Sequence, residues 1–286
     1  MRKSLLYFLI IIINTAIVAE TRVALVIGNS NYETWGKLKN TKNDARDMKN
    51  LLESRGFNVL YGTDLTRVEF EELLSEFRDR LAKNKKSIGL FYFSGHGMEI
   101  EHNNYLIPID SKKPKRHLNI SLERVIDDMS MANNRLNIII LDACRDNPFI
   151  LARAFNAGGF SKINARRGLL IAYATEPGKV ASDGNEELTN GLFTKYLLDY
   201  MKKPLPLHSV FWKTKNKVFQ ISNHKQLPTI DDQTVIDDQI VGEEDFFFTQ
   251  PTQLKNKKRE ESDTSSSISR LSHIPLYCDY QDNDFD

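Results

Sequence analysis

Residues 88–97 read IGLFYFSGHG, and this stretch constrains the chain more than any other. Residues 88–93 form a continuous apolar, aromatic-rich run too short for a globular helix, so they predict a strand buried on both faces, as in a parallel sheet. The strand is expected to stop at Phe93. Ser94-Gly95-His96-Gly97 then sets an imidazole between two glycines, where backbone can approach a substrate and the ring stands at the strand's carboxyl end. A second apolar run, residues 137–141, leads into Asp142-Ala143-Cys144-Arg145-Asp146. Two strand ends therefore offer a His and a Cys.

Around these strands the sequence alternates strand and helix signals. Residues 22–28, RVALVIG, predict a first buried strand, followed by a polar loop over 29–42. Asn43 opens a helix with Ala45, Met48, Leu51 and Leu52 at helical spacing, and Gly56 suits its end. Residues 57–61 predict a second strand. Thr66 with Glu69 three residues on predicts a capping box, and Phe70, Leu73, Leu74, Phe77 and Leu81 mark the apolar face of the helix behind it. Residues 105–109 predict a short hairpin element, and Leu122, Val125, Ile126 and Met129 another amphipathic helix. A strand is expected over 168–175, helices over 192–201 and 207–221, and a short last strand over 245–248. Residues 145–167, rich in Gly, Ala and Arg, carry no firm periodicity and read as a long mobile loop. The alternation implies right-handed crossovers and an α/β fold, a mostly parallel six-stranded sheet with helices on both faces. In such sheets ligands bind at strand carboxyl ends near a topological switch point, which is where His96 and Cys144 stand.

A chain of 286 residues, 41% hydrophobic and 27% charged, can bury one large core or two modest ones. Its formal net charge of +1 supplies no general electrostatic reason to expect nucleic acid as a partner. Arg2 and Lys3 precede an apolar run over 5–13 that residues 14–19 dilute, short of the roughly 20 residues a spanning helix needs. Residues 1–19 are therefore expected to be a cleavable signal peptide, giving a periplasmic or secreted protein with no membrane attachment once it is removed. Residues 20–249 then form one domain, and 250–286 a disordered polar tail. Cys144 and Cys278 are the two cysteines, and export would permit a disulfide between them. Cys278, however, lies in the tail, and that pairing leaves the surroundings of Cys144 unexplained. The few His and Cys residues make no metal-binding pattern, with His102 reading as a loop residue, so neither metal nor cofactor is expected.

A thiol attacks as thiolate, and a nearby imidazole can take its proton and later return it to a leaving amine. Cys144 is thus the candidate nucleophile and His96 the candidate proton carrier, with the peptide N–H groups of Gly97 and Cys144 as candidate oxyanion donors. A His or a Cys alone at a strand end is more often structural, and the two together carry the reading. Ser94 is poorly suited as nucleophile, because Tyr92 breaks the G-x-S-x-G elbow.

Ser94-Gly95-His96-Gly97 followed by Asp142-Ala143-Cys144-Arg145 resembles the caspase-like cysteine peptidases, and more closely their bacterial metacaspase or orthocaspase branch. In caspases, too, the His stands about 50 residues upstream of the Cys. The similarity runs from Arg22 to Phe248 and includes the Glu176-Pro177-Gly178 loop. The resemblance implies a caspase-haemoglobinase fold, a Cys/His dyad, peptide-bond hydrolysis and frequent self-cleavage. Caspases proper have Gln two places before the nucleophile, whereas this chain has Asp142, as metacaspases do. The resemblance further implies that Asp44, Ser94 and Asp142 form the pocket for the residue before the scissile bond, two acids that would attract Arg or Lys and repel Asp. Thr41 stands where many metacaspases have Cys, and no calcium-ligand set is identifiable.

Two other classes compete with a peptidase that takes proteins or peptides cut after Arg or Lys. One is a catalytically inactive caspase-fold interaction module. The other is a nucleotide-binding domain, which Gly28-Asn29-Ser30-Asn31 supports poorly because it is no phosphate-binding fingerprint.

Overall fold

Strand pairing on both sides of residues 88–100 organises the molecule. The computed structural model describes residues 20–101, 103–144, 168–176, 189–236, 239–240 and 246–251. β1 (Arg22–Gly28) leads through a loop to α1 (Thr41–Ser54), and β2 (Phe57–Thr63) to α2 (Arg67–Ala82). β3 (Ile88–Ile100) turns back into β4 (Asn103–Leu106), which precedes the two-residue β5 (Ile120–Ser121) and α3 (Leu122–Met131). β6 (Leu136–Cys144) and β7 (Leu169–Tyr173) follow, then α4 (Leu192–Met201), α5 (Leu207–Ile221) and β8 (Thr229–Asp232). The main sheet runs in the order β2-β1-β3-β6-β7-β8. Every neighbouring pair is parallel except β7 with β8. The chain builds outward from β1 in one direction and then the other, so the switch point falls between β1 and β3.

Alternation along the strands assigns the two faces. Ala24, Val26, Leu90, Tyr92, Ile138 and Ile140 pack beneath α1, α4 and α5, while Leu25, Ile27, Phe91, Phe93, Ile139 and Leu141 pack beneath α2 and α3. Both faces are therefore dry, which is why these strands read as unbroken apolar runs. α2 begins with the expected capping box. Thr66 accepts the Glu69 backbone N–H, and the Glu69 carboxylate accepts the Thr66 backbone N–H in return. Phe70, Leu74, Phe77 and Leu81 are buried, and Leu73 packs at the margin.

The structure corrects several of the expected elements. β3 does not end at Phe93 but continues to Ile100, because Ser94, Gly95 and His96 pair with Asp142, Ala143 and Cys144, after which Gly97 to Ile100 pair antiparallel with β4. The hairpin expected over 105–109 is this β3–β4 turn, shifted toward the N-terminus. α1 starts at Thr41 rather than Asn43, since the Thr41 hydroxyl donates to the Asn29 carbonyl at 2.8 Å and anchors the first turn. The strand expected over 245–248 is absent from the described part of that stretch: Phe247 makes only an isolated bridge to Pro206, while Phe246 and Phe248 bury their rings in the core. The sixth strand of the sheet is instead β8, whose half-buried sequence TIDD has Ile230 as its one apolar residue and so carries no apolar run. Asp232 ties this edge to α5 by accepting a hydrogen bond from His208 Nδ1 at 2.6 Å. The expected signal peptide, the loop over 145–167, His102, Cys278 and the tail beyond Pro251 lie outside the described residues.

Candidate active site

His96 and Cys144 are register partners across the parallel pair of β3 and β6. Partners in adjacent strands lie about 4.8 Å apart, on one face of the sheet. Ser94 and Asp142 are partners two residues earlier on that face, the one covered by α1 and α4. The two motifs, far apart in sequence, thus form one ladder with a His–Cys rung above a Ser–Asp rung.

The imidazole is held from the loop between β1 and α1. Its Nε2 lies 3.1 Å from the Gly36 carbonyl oxygen. A carbonyl can only accept, so Nε2 carries the proton in this contact. Gly36 has φ +85°, a left-handed conformation that glycine adopts without strain. Tyr32, from the same loop, accepts the His96 backbone N–H at 2.8 Å, and its ring lies 4.5 Å from the imidazole. The loop itself is pinned at both ends. Asp64 accepts the backbone N–H groups of Ser30 and Asn31 at 2.8 and 2.9 Å, and the Trp35 indole donates to the Ser111 carbonyl at 2.6 Å. Against desolvation by burial, the bonds to Asp64 from Lys42, Asn31 and Ser30 hold its carboxyl below the usual range.

Gly95 serves a purpose other than the expected one. A Cβ there would come 2.4 Å from the Tyr32 hydroxyl and 2.7 Å from the Phe93 ring, so its missing side chain makes room for Tyr32 rather than for a substrate.

The two acids lie on the α1–α4 side. Asp44, in the first turn of α1, and Asp142, near the end of β6, are 2% and 8% exposed. Asp44 accepts the Gly191 backbone N–H at 2.9 Å and the Ser94 hydroxyl at 3.3 Å. Asp142 accepts the Thr194 hydroxyl at 2.5 Å. Burial first, and then repulsion from Asp142, push the Asp44 carboxyl up to about 8, although hydrogen bonds from Gly191, Asn190 and Ser94 pull the other way. Near neutral pH the pair therefore keeps a proton at Asp44, and a cation placed between the two would release it.

The structure thus gathers Asp44, Ser94, His96, Gly97, Asp142 and the backbone of Cys144 at one end of the sheet. Sequence reasoning missed Tyr32, Gly36, Gly191 and Thr194. Tyr32 and Gly36 lie in a loop without periodicity, and Thr194 looks like one polar residue on an apolar helix face. Among the described residues no group of three or more His, Cys, Asp or Glu side chains could hold a metal ion.

The family model described as the caspase domain matches residues 21–239. The human mucosa-associated lymphoid tissue lymphoma translocation protein 1 is 33% identical over 188 residues, 63% of this chain and 22% of that protein. A paracaspase of Dictyostelium discoideum is 24% identical over 181 residues, 62% of this chain and 43% of the relative. Rat caspase-1 is 22% identical over 240 residues, 73% of this chain and 56% of the relative. The chain therefore spans about a fifth of the human relative's length and about half that of the other two.

Proposed function

The chain belongs to the caspase domain family, with the caspase-haemoglobinase fold of a cysteine peptidase domain, and from that premise we propose that it is an active endopeptidase cutting after Arg or Lys. The observation that carries the reading is the two-rung ladder, with His96 opposite Cys144 and Asp142 opposite Ser94, closed by Asp44 from α1.

In this reading His96, with Nε2–H fixed on Gly36, takes the Cys144 proton at Nδ1. The thiolate attacks the substrate carbonyl carbon, and the oxyanion is stabilised by the Gly97 and Cys144 peptide N–H groups. The C–N bond breaks as the imidazolium gives its proton to the leaving amine, leaving a thioester on Cys144. Water, deprotonated by His96, then hydrolyses the thioester and restores the thiol. Asp44 and Asp142 receive the cationic side chain before the scissile bond, where their low exposure makes each charge-assisted bond stronger than it is in water. Removal of residues 1–19 as a signal peptide and export belong to the same proposal, and N-terminal sequencing of the secreted chain tests them.

The deciding experiment is hydrolysis, under reducing conditions, of matched fluorogenic peptides carrying Arg, Lys or Asp before the scissile bond. Cleavage after Arg and Lys that is lost in Cys144→Ala supports the proposal. An Asp preference, or full activity in Cys144→Ala, overturns it.

A further inference from the structure

The first turn of α4 grips both acids of the proposed pocket. Gly191, the N-cap residue, holds Asp44 through its backbone N–H, and Thr194, three residues on, holds Asp142 through its hydroxyl. On the far side of that hydroxyl stands Tyr92, whose phenol oxygen lies 2.6 Å from Thr194 Oγ1. Thr194 and Tyr92 are both 0% exposed. A carboxylate only accepts, so the Thr194 proton is committed to Asp142, and the Tyr92 hydroxyl is the donor to Thr194. Burial, and then the carboxylates of Asp44 and Asp142, push the Tyr92 phenol well above its ordinary value, so it keeps that proton across the working pH range. The donors Tyr92 and Thr194 therefore point in one direction, both out of reach of water, and end on Asp142, which is 8% exposed and accepts.

We propose that Thr194 is a positioning residue for substrate specificity: oriented by Tyr92, its hydroxyl fixes the plane of the Asp142 carboxylate so that an arginine guanidinium can bind it with two parallel hydrogen bonds. The proposal rests on the assignment of Asp44 and Asp142 to the pocket for the residue before the scissile bond. A guanidinium is planar and rewards a carboxylate of fixed orientation, whereas the lysine ammonium is a point charge that tolerates a turned one. Holding the carboxylate beforehand also avoids the cost of ordering it when substrate binds. Thr194 therefore tunes the choice between Arg and Lys, beyond the choice of cations over anions that the two acids make themselves.

The test compares Thr194→Val, which keeps the shape and removes the donor, with Thr194→Ser, which keeps the donor, and with Tyr92→Phe, which removes the bond orienting it. Thr194→Val is expected to raise KM for an Arg peptide about tenfold with a much smaller change in kcat, and to shrink the Arg-over-Lys preference several-fold. Thr194→Ser restores both, and Tyr92→Phe falls between. Should Thr194→Val fail to give a cooperative thermal transition, Tyr92→Phe carries the same comparison. An unchanged Arg-to-Lys ratio in both variants overturns the proposal.

A readout free of turnover separates it from the peptidase reading. Benzamidine, an amidinium probe, is titrated calorimetrically into Cys144→Ala protein with and without Thr194→Val. Binding that weakens about tenfold with the second substitution supports the role of Thr194. Equal binding overturns that role and leaves the acidic pocket standing. No binding by Cys144→Ala protein overturns the pocket, and the role of Thr194 with it.

Discussion

Tyr32 meets His96 twice, accepting its backbone N–H at 2.8 Å and laying its ring 4.5 Å from the imidazole at an interplanar angle of 54°. With Nε2 on the Gly36 carbonyl, the ring is held in position before any substrate arrives. Tyr32→Phe keeps the ring contact and removes the acceptor, leaving a buried N–H without this partner. It is expected to lower kcat/KM about tenfold while stability falls by about 1–2 kcal/mol, checked by steady-state kinetics and urea unfolding.

Cys144→Ala is expected to abolish hydrolysis while the fold persists, and His96→Ala to do nearly the same. Because the two act as one unit, the double variant should be scarcely slower than either single one. Rates measured with an Arg peptide on all three proteins check this. A double variant whose loss equals the product of the two single losses would show that the groups act independently.

Gly95→Ala places a methyl where the Tyr32 hydroxyl and the Phe93 ring already stand. The forced shift should cost about 1–3 kcal/mol and displace Tyr32 from His96, lowering activity more than the loss of stability alone explains. Adding Tyr32→Phe removes the nearer clash, so the double variant should regain part of the stability of Gly95→Ala. Denaturant midpoints of the two proteins decide it.

Asp44 predicts how activity depends on pH. With its carboxyl pushed up to about 8, chiefly by burial and then by Asp142, a cationic side chain binds best once Asp44 has lost its proton. The ratio of kcat/KM for an Arg peptide to that for its uncharged citrulline analogue cancels the titration of the dyad. This ratio should rise roughly tenfold between about pH 6.5 and about pH 8 and level off about one unit above that. Asp44→Asn should flatten the profile and lower its plateau, and Asp142→Ala should cut Arg hydrolysis by about ten- to a hundredfold.

The same group sets a pH dependence of stability, with the opposite sign from a salt-bridged acid. Between about pH 4 and about pH 8 the native protein holds a proton on Asp44 that the unfolded chain releases. The stability contributed by that proton is fully present below the unfolded value, falls as pH rises through this window and is lost above about 8. Urea unfolding of Cys144→Ala protein should show the decline, and the Asp44→Asn, Cys144→Ala double variant should lack it.

Much of this molecule is legible along the chain because its signals are local. The runs at 22–28 and 88–93 announce doubly buried strands, Thr66 and Glu69 announce a helix start, and the helices at 192–201 and 207–221 have the expected ends. β8 was not legible: an edge strand of sequence TIDD, paired on one side only, needs no apolar pattern. The end of β3 is hidden for a related reason: Ser94 to His96 stay extended through pairing with β6, and the partner is invisible from within the segment.

By itself the sequence determined which residues could do chemistry, because His, Cys, Asp and Gly at strand ends are chemically distinctive wherever they fold. How they are held depends on long-range packing. The register of β3 on β6 set His96 against Cys144, a loop from β1 brought the Gly36 carbonyl and Tyr32 to the imidazole, and a helix from the far end of the domain brought Gly191 and Thr194 to the two acids. Each of these contacts joins residues far apart in the chain through a single hydrogen bond or strand pair. No periodicity or composition records such a bond, because its energy depends on the position and direction that packing imposes on both partners.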